Sequence, residues 1–376
     1  MSTKRRSRLP MRLLVALFVL LRLPLAGRRR RPREVRHILV LHHLLLGDAL
    51  MLTPLLAKLR ERYPDASVHV AMPKAFVTLY QHGPYRVLPV PFDPRDPATF
   101  FALLALPKPD LVLLPADNRY SWLARAIGGR WIVAFAGDRP AYKNWPVDEQ
   151  RAYSSTPTAW GDTAAELVDG PRPAPYRVAQ WTPPPAHEFA LPPAPYAVLH
   201  VGASTPLKQW PPQRWRELAG WLDGQGIAPV WSAGAAELGQ VAAIDPTQRY
   251  PSFAGRLDLA QLWRLLGGAR LLVCPDTGVA HLGRIAGVPT VTLFGPGSAL
   301  VCGAGDFWRD SPYVAVTVED FPCRDQNIQF FRSIPWMRRC ERLPPDCVDP
   351  KCMQAIMVVA VLAGIAALPC SEKDRA

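Results

Sequence analysis

Three short polar segments carry the side chains in this sequence that are best suited to chemistry. Residues 47–48 supply a carboxylate that can accept a proton from a hydroxyl as a general base. Residues 202–208 combine small residues, two hydroxyls and a lysine, which together suit a phosphate group. Residues 276–281 open a predicted helix, whose free N–H groups and positive dipole end favour an anion. The segments predict a site that binds a phosphorylated ligand and accepts a proton.

Within the first two segments, each candidate side chain has a chemical role and a structural alternative. We assign Asp48 as the proton acceptor, although its position also fits a helix N-cap. We assign Ser204, Thr205 and Lys208 to phosphate binding through hydroxyl donors and a point charge. The alternative for this second segment is a surface loop with an incidental lysine.

The third segment divides its work between backbone and side chains. The N–H groups of Thr277 and Gly278 are expected to meet the phosphate. Asp276 would repel an anion, so it is expected to organise the turn or to contact a hydroxyl; Asp276 or Thr277 can also be an N-cap. His281 can donate to a departing phosphate or be structural. Glu237 can accept hydrogen bonds from ribose hydroxyls, or can be a solvated helix residue.

These segments follow strands of a predicted α/β fold. Short apolar runs alternate with helical patterns, a rhythm that predicts parallel sheets with ligands at the carboxyl ends of the strands. The predicted strands cover residues 37–41, 67–71, 87–90, 111–114, 131–135, 196–201, 227–231, 271–274 and 288–294. The predicted helices cover residues 49–63, 98–106, 212–222, a stretch ending at 244, 259–267 and 353–368. Pro54 is expected to be a local irregularity inside the first of them.

Composition divides the chain into domains. Residues 171–195 contain nine prolines, which remove backbone donors and predict a linker. We therefore expect one α/β domain at 37–170 and a second at 196–318. Residues 319–376 form a C-terminal segment that ends in an apolar helix. Four cysteines of this segment, Cys323, Cys340, Cys347 and Cys352, contain no CxxC pair and give little support for a zinc site.

The basic charge of the protein is concentrated in its first 36 residues. They hold twelve cationic side chains against one acid, or +11 of the formal net charge of +13. The nearly neutral remainder argues against a nucleic-acid-binding body and predicts no nucleic-acid partner. The tail instead predicts an anionic membrane surface as its partner. A disordered, solvated tail is the alternative.

An apolar stretch within this tail, residues 13–21, is too short to span a bilayer, which needs roughly 20 residues. We expect a helix lying on the membrane interface with basic anchors. A signal anchor over residues 9–26 is the alternative.

Several classes of site are missing from the sequence. There is no GxxxxGK[ST] segment of an ATPase and no GxGxxG after a strand. The residues also predict no catalytic metal. Seven cysteines in a chain of this size indicate a reducing compartment.

Taken together, the motifs make the chain resemble glycosyltransferase family 9, the ADP-heptose:lipopolysaccharide heptosyltransferases. HILVLHHLLLGDALMLTPLLAKLRERYPDA is similar to the N-terminal strand, GD turn and helix of that family. HVGASTPLKQWPPQRWRELAGWL resembles its phosphate loop, with K-x-W-P intact, and CPDTGVAHLGRIAGVPTVTLFGPGS matches its D-T-G-x-x-H-L and F-G-P segments. The leucines before the GD turn and the basic extension at residues 1–36 depart from the usual pattern.

The resemblance implies a GT-B fold, with two Rossmann-like α/β domains facing across a cleft, and a metal-independent, inverting transfer without a cofactor. It implies a nucleotide-sugar donor, typically ADP-heptose, and a lipid-linked lipopolysaccharide core acceptor at the cytoplasmic face of the inner membrane. Asp48 matches the catalytic base. The other candidates match donor contacts: Ser204, Thr205, Lys208, Glu237, Asp276, Thr277, Gly278 and His281. Other nucleotide sugars, other glycan acceptors and a non-catalytic sugar-nucleotide-binding membrane protein remain the alternatives.

Overall fold

The computed structural model describes residues 7–22, 29–82, 84–318 and 320–368. Parts of the predicted basic extension, residues 1–6 and 23–28, and the C-terminal residues 369–376 lie outside the described residues. The chain divides into two compact units. Unit 1 consists of Met1–Thr156, Gly161–Ala174 and Ile328–Pro335, and unit 2 consists of Pro157–Trp160, Pro175–Asn327 and Trp336–Ala376.

Strands and helices alternate along both units. The strands are β1 (His37–Leu41), β2 (Ser67–Met72), β3 (Val87–Pro91), β4 (Leu111–Leu114), β5 (Trp131–Phe135), β6 (Glu149–Arg151), β7 (Tyr196–His200), β8 (Ala228–Ser232), β9 (Leu271–Pro275), β10 (Thr290–Phe294), β11 (Tyr313–Thr317), β12 (Ile328–Gln329) and β13 (Arg332–Ser333). The helices are α1 (Leu9–Arg22), α2 (Leu46–Leu50), α3 (Thr53–Arg62), α4 (Val77–Tyr80), α5 (Pro97–Leu104), α6 (Ser121–Ala126), α7 (Trp160–Ala165), α8 (Pro212–Gly224), α9 (Leu238–Ile244), α10 (Leu259–Gly268), α11 (Gly278–Ile285), α12 (Ala299–Cys302), α13 (Lys351–Gln354) and α14 (Val358–Ala366).

Unit 1 is built on a six-stranded parallel sheet in the order β3-β2-β1-β4-β5-β6. Its central strands are short apolar runs because both faces are covered. The register pairs Val40 with Val70 on one side and with Leu113 on the other. This strand order is that of a Rossmann fold, so the topological switch point lies between β1 and β4.

Unit 2 repeats this plan with a five-stranded parallel sheet in the order β11-β10-β9-β7-β8. An isolated parallel bridge from Trp231 to Ser252 continues the sheet beyond β8. With that bridge, the order again matches a Rossmann fold, and the switch point lies between β7 and β9. The predicted α/β class with parallel sheets is confirmed.

The predicted helix over residues 49–63, with Pro54 as a local irregularity, is two helices, α2 and α3. Pro54 has no N–H for the carbonyl of Leu50, and the hydroxyl of Thr53 donates to that carbonyl instead, at 2.6 Å. The chain therefore restarts its helix with Pro54 in the first turn, where the missing N–H costs nothing.

The predicted C-terminal helix over residues 353–368 is likewise two helices, α13 and α14. Between them the carbonyl of Ile356 accepts hydrogen bonds from the Trp210 indole at 2.8 Å and from Arg214 Nη1 at 2.7 Å. A carbonyl committed to these side chains cannot continue the helical ladder. Strands β6, β11, β12 and β13 were not predicted, because they are short or carry few apolar residues.

Candidate functional site

The two predicted phosphate-binding segments flank the switch point of unit 2. Residues 202–208 follow β7, and residues 276–281 follow β9, its neighbour in the sheet. The chain leaves these two strands towards opposite sides, so the loops after them splay apart and leave room for a ligand. Strand order alone therefore brings segments about 70 residues apart in sequence to one place.

The closest link between the two segments is an ion pair. Lys208 Nζ donates to the Asp276 carboxylate Oδ2 at 2.7 Å and to the Asp276 backbone carbonyl at 2.8 Å. The Asp276 side chain is 9% exposed and that of Lys208 is 22% exposed. Asp276 thus organises the turn, one of its two predicted roles, and it fixes the lysine ammonium where the two loops meet.

The start of α11 presents donors at the same point. Thr277 occupies the N-cap position, yet its side chain makes no capping hydrogen bond. Its Oγ1 is buried and has no hydrogen-bond partner among the described residues. A buried hydroxyl without a partner costs free energy, about 1–3 kcal/mol, unless something pairs with it. The side chain is therefore not the cap that the alternative interpretation required.

His281 lies one turn into α11 and is buried. Burial lowers the pKa of His281 well below its ordinary value, and the charges of Arg284 and Lys208 act in the same direction, so the ring is neutral. Its Nδ1 contacts Arg284 Nη2. Since a guanidinium can only donate, Nδ1 must accept, and the ring proton resides on Nε2.

Arg284 was not among the predicted site residues. It is 1% exposed, donates to the carbonyl of Gly303 at 2.7 Å, and stacks its guanidinium 4.6 Å from the ring centre of Tyr313. The available signal was its spacing, since a residue three positions after His281 on a helix shares its face. Arg284 positions the histidine and selects its tautomer.

Glu237 joins the first loop from the neighbouring strand. Its Oε2 accepts from the N–H of Gly234 at 2.8 Å. The same carboxylate lies against Gly202, where any Cβ would overlap it. Glu237 is half-buried at the edge of the loop rather than on a fully solvated helix face. Ser204 is exposed, and Thr205 accepts from the N–H of Leu207 at 3.4 Å, which caps the turn that carries Lys208.

A third loop completes the surroundings of Asp276. A Cβ at Gly297 would lie 2.5 Å from Asp276 Oδ2, so this turn needs a glycine to approach the carboxylate. Buried Arg324 holds the turn by donating to the carbonyls of Gly295, at 2.7 Å, and Phe294, at 3.1 Å. Arg324 carried no motif that sequence reasoning could use.

Asp48 belongs to unit 1, where it follows β1 at that unit's switch point. It lies in the first turn of α2, is half-buried, and is not the N-cap, since Leu45 occupies that position. The buried His42 precedes it, and burial, followed by the charge of His43, lowers the pKa of His42 to about 3. The His42 ring is therefore neutral near pH 7.

Two kinds of feature are absent from the described part of the chain. No group of three or more His, Cys, Asp or Glu residues in it is arranged to hold a metal ion. None of the helices in the same residues combines the length and the hydropathy needed to cross a membrane.

Comparison with known proteins places these features in a family. The model of glycosyltransferase family 9 (heptosyltransferase) matches residues 110–315. Lipopolysaccharide heptosyltransferase 1 of Pseudomonas aeruginosa is 31% identical over 222 residues, which cover 54% of this chain and 57% of that protein. The chain thus spans little more than half the length of this curated relative.

Solved structures agree at the level of the fold. Escherichia coli ADP-heptose lipopolysaccharide heptosyltransferase II superposes with a TM-score of 0.65 at 17% identity, covering 88% of this chain and 98% of that one. Escherichia coli heptosyltransferase WaaC with ADP gives a TM-score of 0.62 at 20% identity, covering 74% and 92%. The fold is therefore GT-B, with two Rossmann-like α/β domains.

Proposed function

The chain belongs to glycosyltransferase family 9, and we propose that it transfers a heptose from ADP-heptose to a lipopolysaccharide core acceptor. The family membership supports glycosyl transfer, and the relative named lipopolysaccharide heptosyltransferase 1 supports the sugar and the acceptor. A structural neighbour holds ADP, which supports adenine as the base of the donor. Transfer is proposed to invert the anomeric centre and to need neither metal nor cofactor.

One observation carries this proposal most directly. The ammonium of Lys208, the unpaired hydroxyl of Thr277 and the start of α11 meet at the switch point of unit 2. Each of the three favours an anion with several oxygens, and the diphosphate of a nucleotide sugar is such an anion. Glu237, at the edge of the same loop system, is proposed to accept from the ribose hydroxyls of the donor.

The proposed reaction is a direct displacement. Asp48 accepts the proton of the acceptor hydroxyl while that oxygen forms a bond to the anomeric carbon. The bond between the anomeric carbon and the diphosphate oxygen breaks, and the electron pair leaves with ADP. Attack from the face opposite the leaving group gives inversion.

We propose that preorganised donors stabilise the negative charge that develops on the departing diphosphate. Lys208 supplies a fixed positive charge, and the N–H groups of Thr277 and Gly278 supply the helix dipole. His281 is neutral and carries its proton on Nε2, so it donates a hydrogen bond without titrating near pH 7. Ser204 and Thr205 are proposed to add hydroxyl donors.

A cytoplasmic location at the inner membrane is part of the proposal. Helix α1 is apolar almost all round, and five of its leucines are at least half exposed: Leu9, Leu13, Leu17, Leu20 and Leu21. A helix of this kind lies in a protein core or in lipid. Cationic residues before and after it can bind anionic headgroups, each adding about 1 kcal/mol near the surface.

Thermal stability tests the donor assignment. The melting temperature Tm of the purified protein is measured with ADP, UDP, GDP and ADP-heptose, since a ligand that binds the native state raises Tm by mass action. Selective shifts with ADP and ADP-heptose are expected. A shift with UDP or GDP alone would replace the donor and keep the reaction class. If no nucleotide shifts Tm, even after a core saccharide acceptor is added, the chain is a non-catalytic member of the fold.

A further inference from the structure

Helix α1 forms one wall of an open cavity of about 750 Å³ against the body of unit 1. This volume falls in the range of about 300–1,000 Å³ that is typical of small-molecule sites. The helix contributes Val15, Ala16 and Val19 to the wall, and the opposite wall includes Phe92, Trp122 and Phe331. The interior is therefore mainly apolar and suits a hydrocarbon chain.

Helix α1 is held firmly enough to serve as a wall. Met11 is buried, and the Phe18 ring packs edge-on against the buried Phe100 ring at 5.0 Å between centres. At the end of the helix, Arg22 Nε donates to the carbonyl of Ala126 at 3.0 Å. The helix is thus docked on unit 1 through one face, and a cavity remains beside that contact.

All the charged side chains that line the cavity are cationic: Arg8, Arg12, Arg119 and Lys143. Arg119 is paired with Asp117 at 2.6 Å, and Lys143 with Asp138 at 3.2 Å. Among the described residues, Arg8 and Arg12 have no acidic partner within ion-pair distance. Arg8 and Arg12 thus add two positive charges outside any close ion pair to the rim, which fit a phosphate monoester or diester.

The cavity lies at the edge of the sheet that also carries the proposed base. Phe92 follows β3, and its ring contacts Tyr120, after β4, at 5.2 Å and His43, after β1, at 6.0 Å between centres. His43 stands five residues before Asp48. A ligand in the cavity is consequently bound at the same carboxyl-end edge as the carboxylate that activates the acceptor.

Leu20 connects this cavity with the outward face of α1. It lines the cavity, yet it is 62% exposed and belongs to the same row as Leu9, Leu13 and Leu17. If this row lies in lipid, as proposed above, the cavity opens beside the hydrocarbon layer. A chain anchored in the membrane can then enter it without crossing water.

From this geometry we infer that the cavity between α1 and unit 1 binds an acyl chain of the phosphorylated lipid acceptor, with Arg8 and Arg12 at its phosphate. The inference rests on the proposed function for the identity of that lipid. Helix α1 is then part of the acceptor site, and its role goes beyond attachment to the membrane.

Binding of small amphiphiles tests the inference without any nucleotide. Decyl phosphate, decyl maltoside and inorganic phosphate are titrated by calorimetry into the purified full-length chain, each amphiphile below its micellar concentration. Decyl phosphate is expected to bind at least tenfold more tightly than either of the others, because only it offers both the chain and the anion. Equal binding of decyl phosphate and inorganic phosphate would overturn the inference, since the cavity would then contribute nothing.

Two variants identify the place of binding. Ala16→Trp fills the cavity from an exposed helix position and should lower the affinity for decyl phosphate at least tenfold. Leu13→Trp, on the outward row, adds the same ring outside the cavity and should leave the affinity unchanged. The double variant Arg8→Gln and Arg12→Gln should lower the affinity for decyl phosphate tenfold and leave the affinity for decyl maltoside unchanged. Circular dichroism verifies folding, and the arginine variant tests the same site if Ala16→Trp does not fold.

Kinetics with an acylated and a deacylated core acceptor separate this inference from the proposed function. Ala16→Trp should raise KM for the acylated acceptor. It should leave kcat, and KM for the deacylated acceptor, unchanged. If the wild-type protein and Ala16→Trp both transfer heptose with identical KM values for the acylated acceptor, the inference is overturned and the proposed function is kept. Tight decyl phosphate binding that Ala16→Trp abolishes, in a protein that transfers no heptose, would keep the cavity as a lipid site and refute the function.

Discussion

The two units share a strand order but differ in what lies at the carboxyl ends of their strands. In unit 2 the edge is polar, and its side chains fix one another: Asp276 holds Lys208, and Arg284 contacts His281. In unit 1 the edge combines a carboxylate, Asp48, with an aromatic and aliphatic cavity rimmed by cations. One edge suits a compact anion, and the other suits an amphiphile.

Under the proposed assignments, one scaffold serves two kinds of ligand. Parallel strands place loops at the switch point whatever the loops contain. The chemistry then depends on which segments supply the loops. Unit 2 uses segments directly attached to its central strands. Unit 1 adds α1, which precedes its first strand, and the β12–β13 hairpin, which is distant from its strands in sequence.

The largest expected effect comes from a substitution at the unit 1 edge. Asp48→Asn removes the proposed proton acceptor and keeps its size, so kcat should fall by about 10²–10⁴-fold, the usual contribution of a general base. The shift in Tm caused by ADP should be unchanged, because that ligand is assigned to unit 2. Asp65→Asn, at an exposed position of unit 1, is the control. Full turnover by Asp48→Asn would remove this residue from the mechanism.

The next prediction concerns the hairpin that completes unit 1. Arg332 is 3% exposed and donates to the carbonyls of Ala116 and Ala136, each at 2.8 Å, and to Asn118 Oδ1 at 2.9 Å. Arg332→Met leaves these acceptors unpaired near Asp138 and should reduce the stability of unit 1 by about 3–5 kcal/mol.

Native-state hydrogen exchange of amides in β4 and β5 measures that loss locally. Arg339→Met is the matched control, because Arg339 forms a partly exposed pair with Glu341 worth about 0–1 kcal/mol. Equal exchange in the two variants would mean that the hairpin is dispensable to the edge of unit 1.

The comparison also explains what could be predicted from sequence. Lys208, Asp276 and His281 stand in loops or helix starts that follow apolar strands, so the periodicity of the sequence is enough to locate them. Arg332 bonds mainly to backbone carbonyls about 200 residues away, and such partners leave no pattern in side-chain types. The cavity beside α1 was equally hidden, because the sequence predicted a helix on the membrane interface and not the surface of unit 1 against which it packs. The helix break at Ile356 depends on two side-chain donors, Trp210 and Arg214, that lie more than 140 residues away in the sequence.

On the unit 2 side, removal of the lysine sharpens the comparison. Lys208→Met deletes the fixed cation and leaves the Asp276 carboxylate to repel the diphosphate. The affinity for ADP should fall by about 1.5–3 kcal/mol, the value of a hydrogen bond to a charged group. Calorimetric titration measures the loss, with Lys351→Met as the control at an exposed lysine of unit 2. Decyl phosphate binding should be the same in both variants, and a parallel loss would contradict the division of ligands between the units.

The smallest effect tests a feature that the two edges have in common. A buried histidine ends or follows the first central strand of each sheet, His42 after β1 and His200 at the end of β7. Burial, joined by the charge of His43, lowers the pKa of His42 to about 3, and burial lowers that of His200 to about 4. An unfolded histidine titrates near 6.5, so between these values the unfolded chain binds protons that the folded units do not.

The stability that the two neutral histidines contribute should therefore be fully present above about pH 6.5. Below that pH the free energy of unfolding should fall by up to about 1.4 kcal/mol per pH unit for each histidine. Urea denaturation at pH 7 and pH 5 measures this slope, and His42→Gln and His200→Gln should each remove one share of it. His82→Gln, at an exposed position, controls for the loss of a histidine. If only one of these two variants reduces the slope, then only one of the two buried histidines is coupled to folding through its pKa. That result would contradict the electrostatic parallel between the two edges.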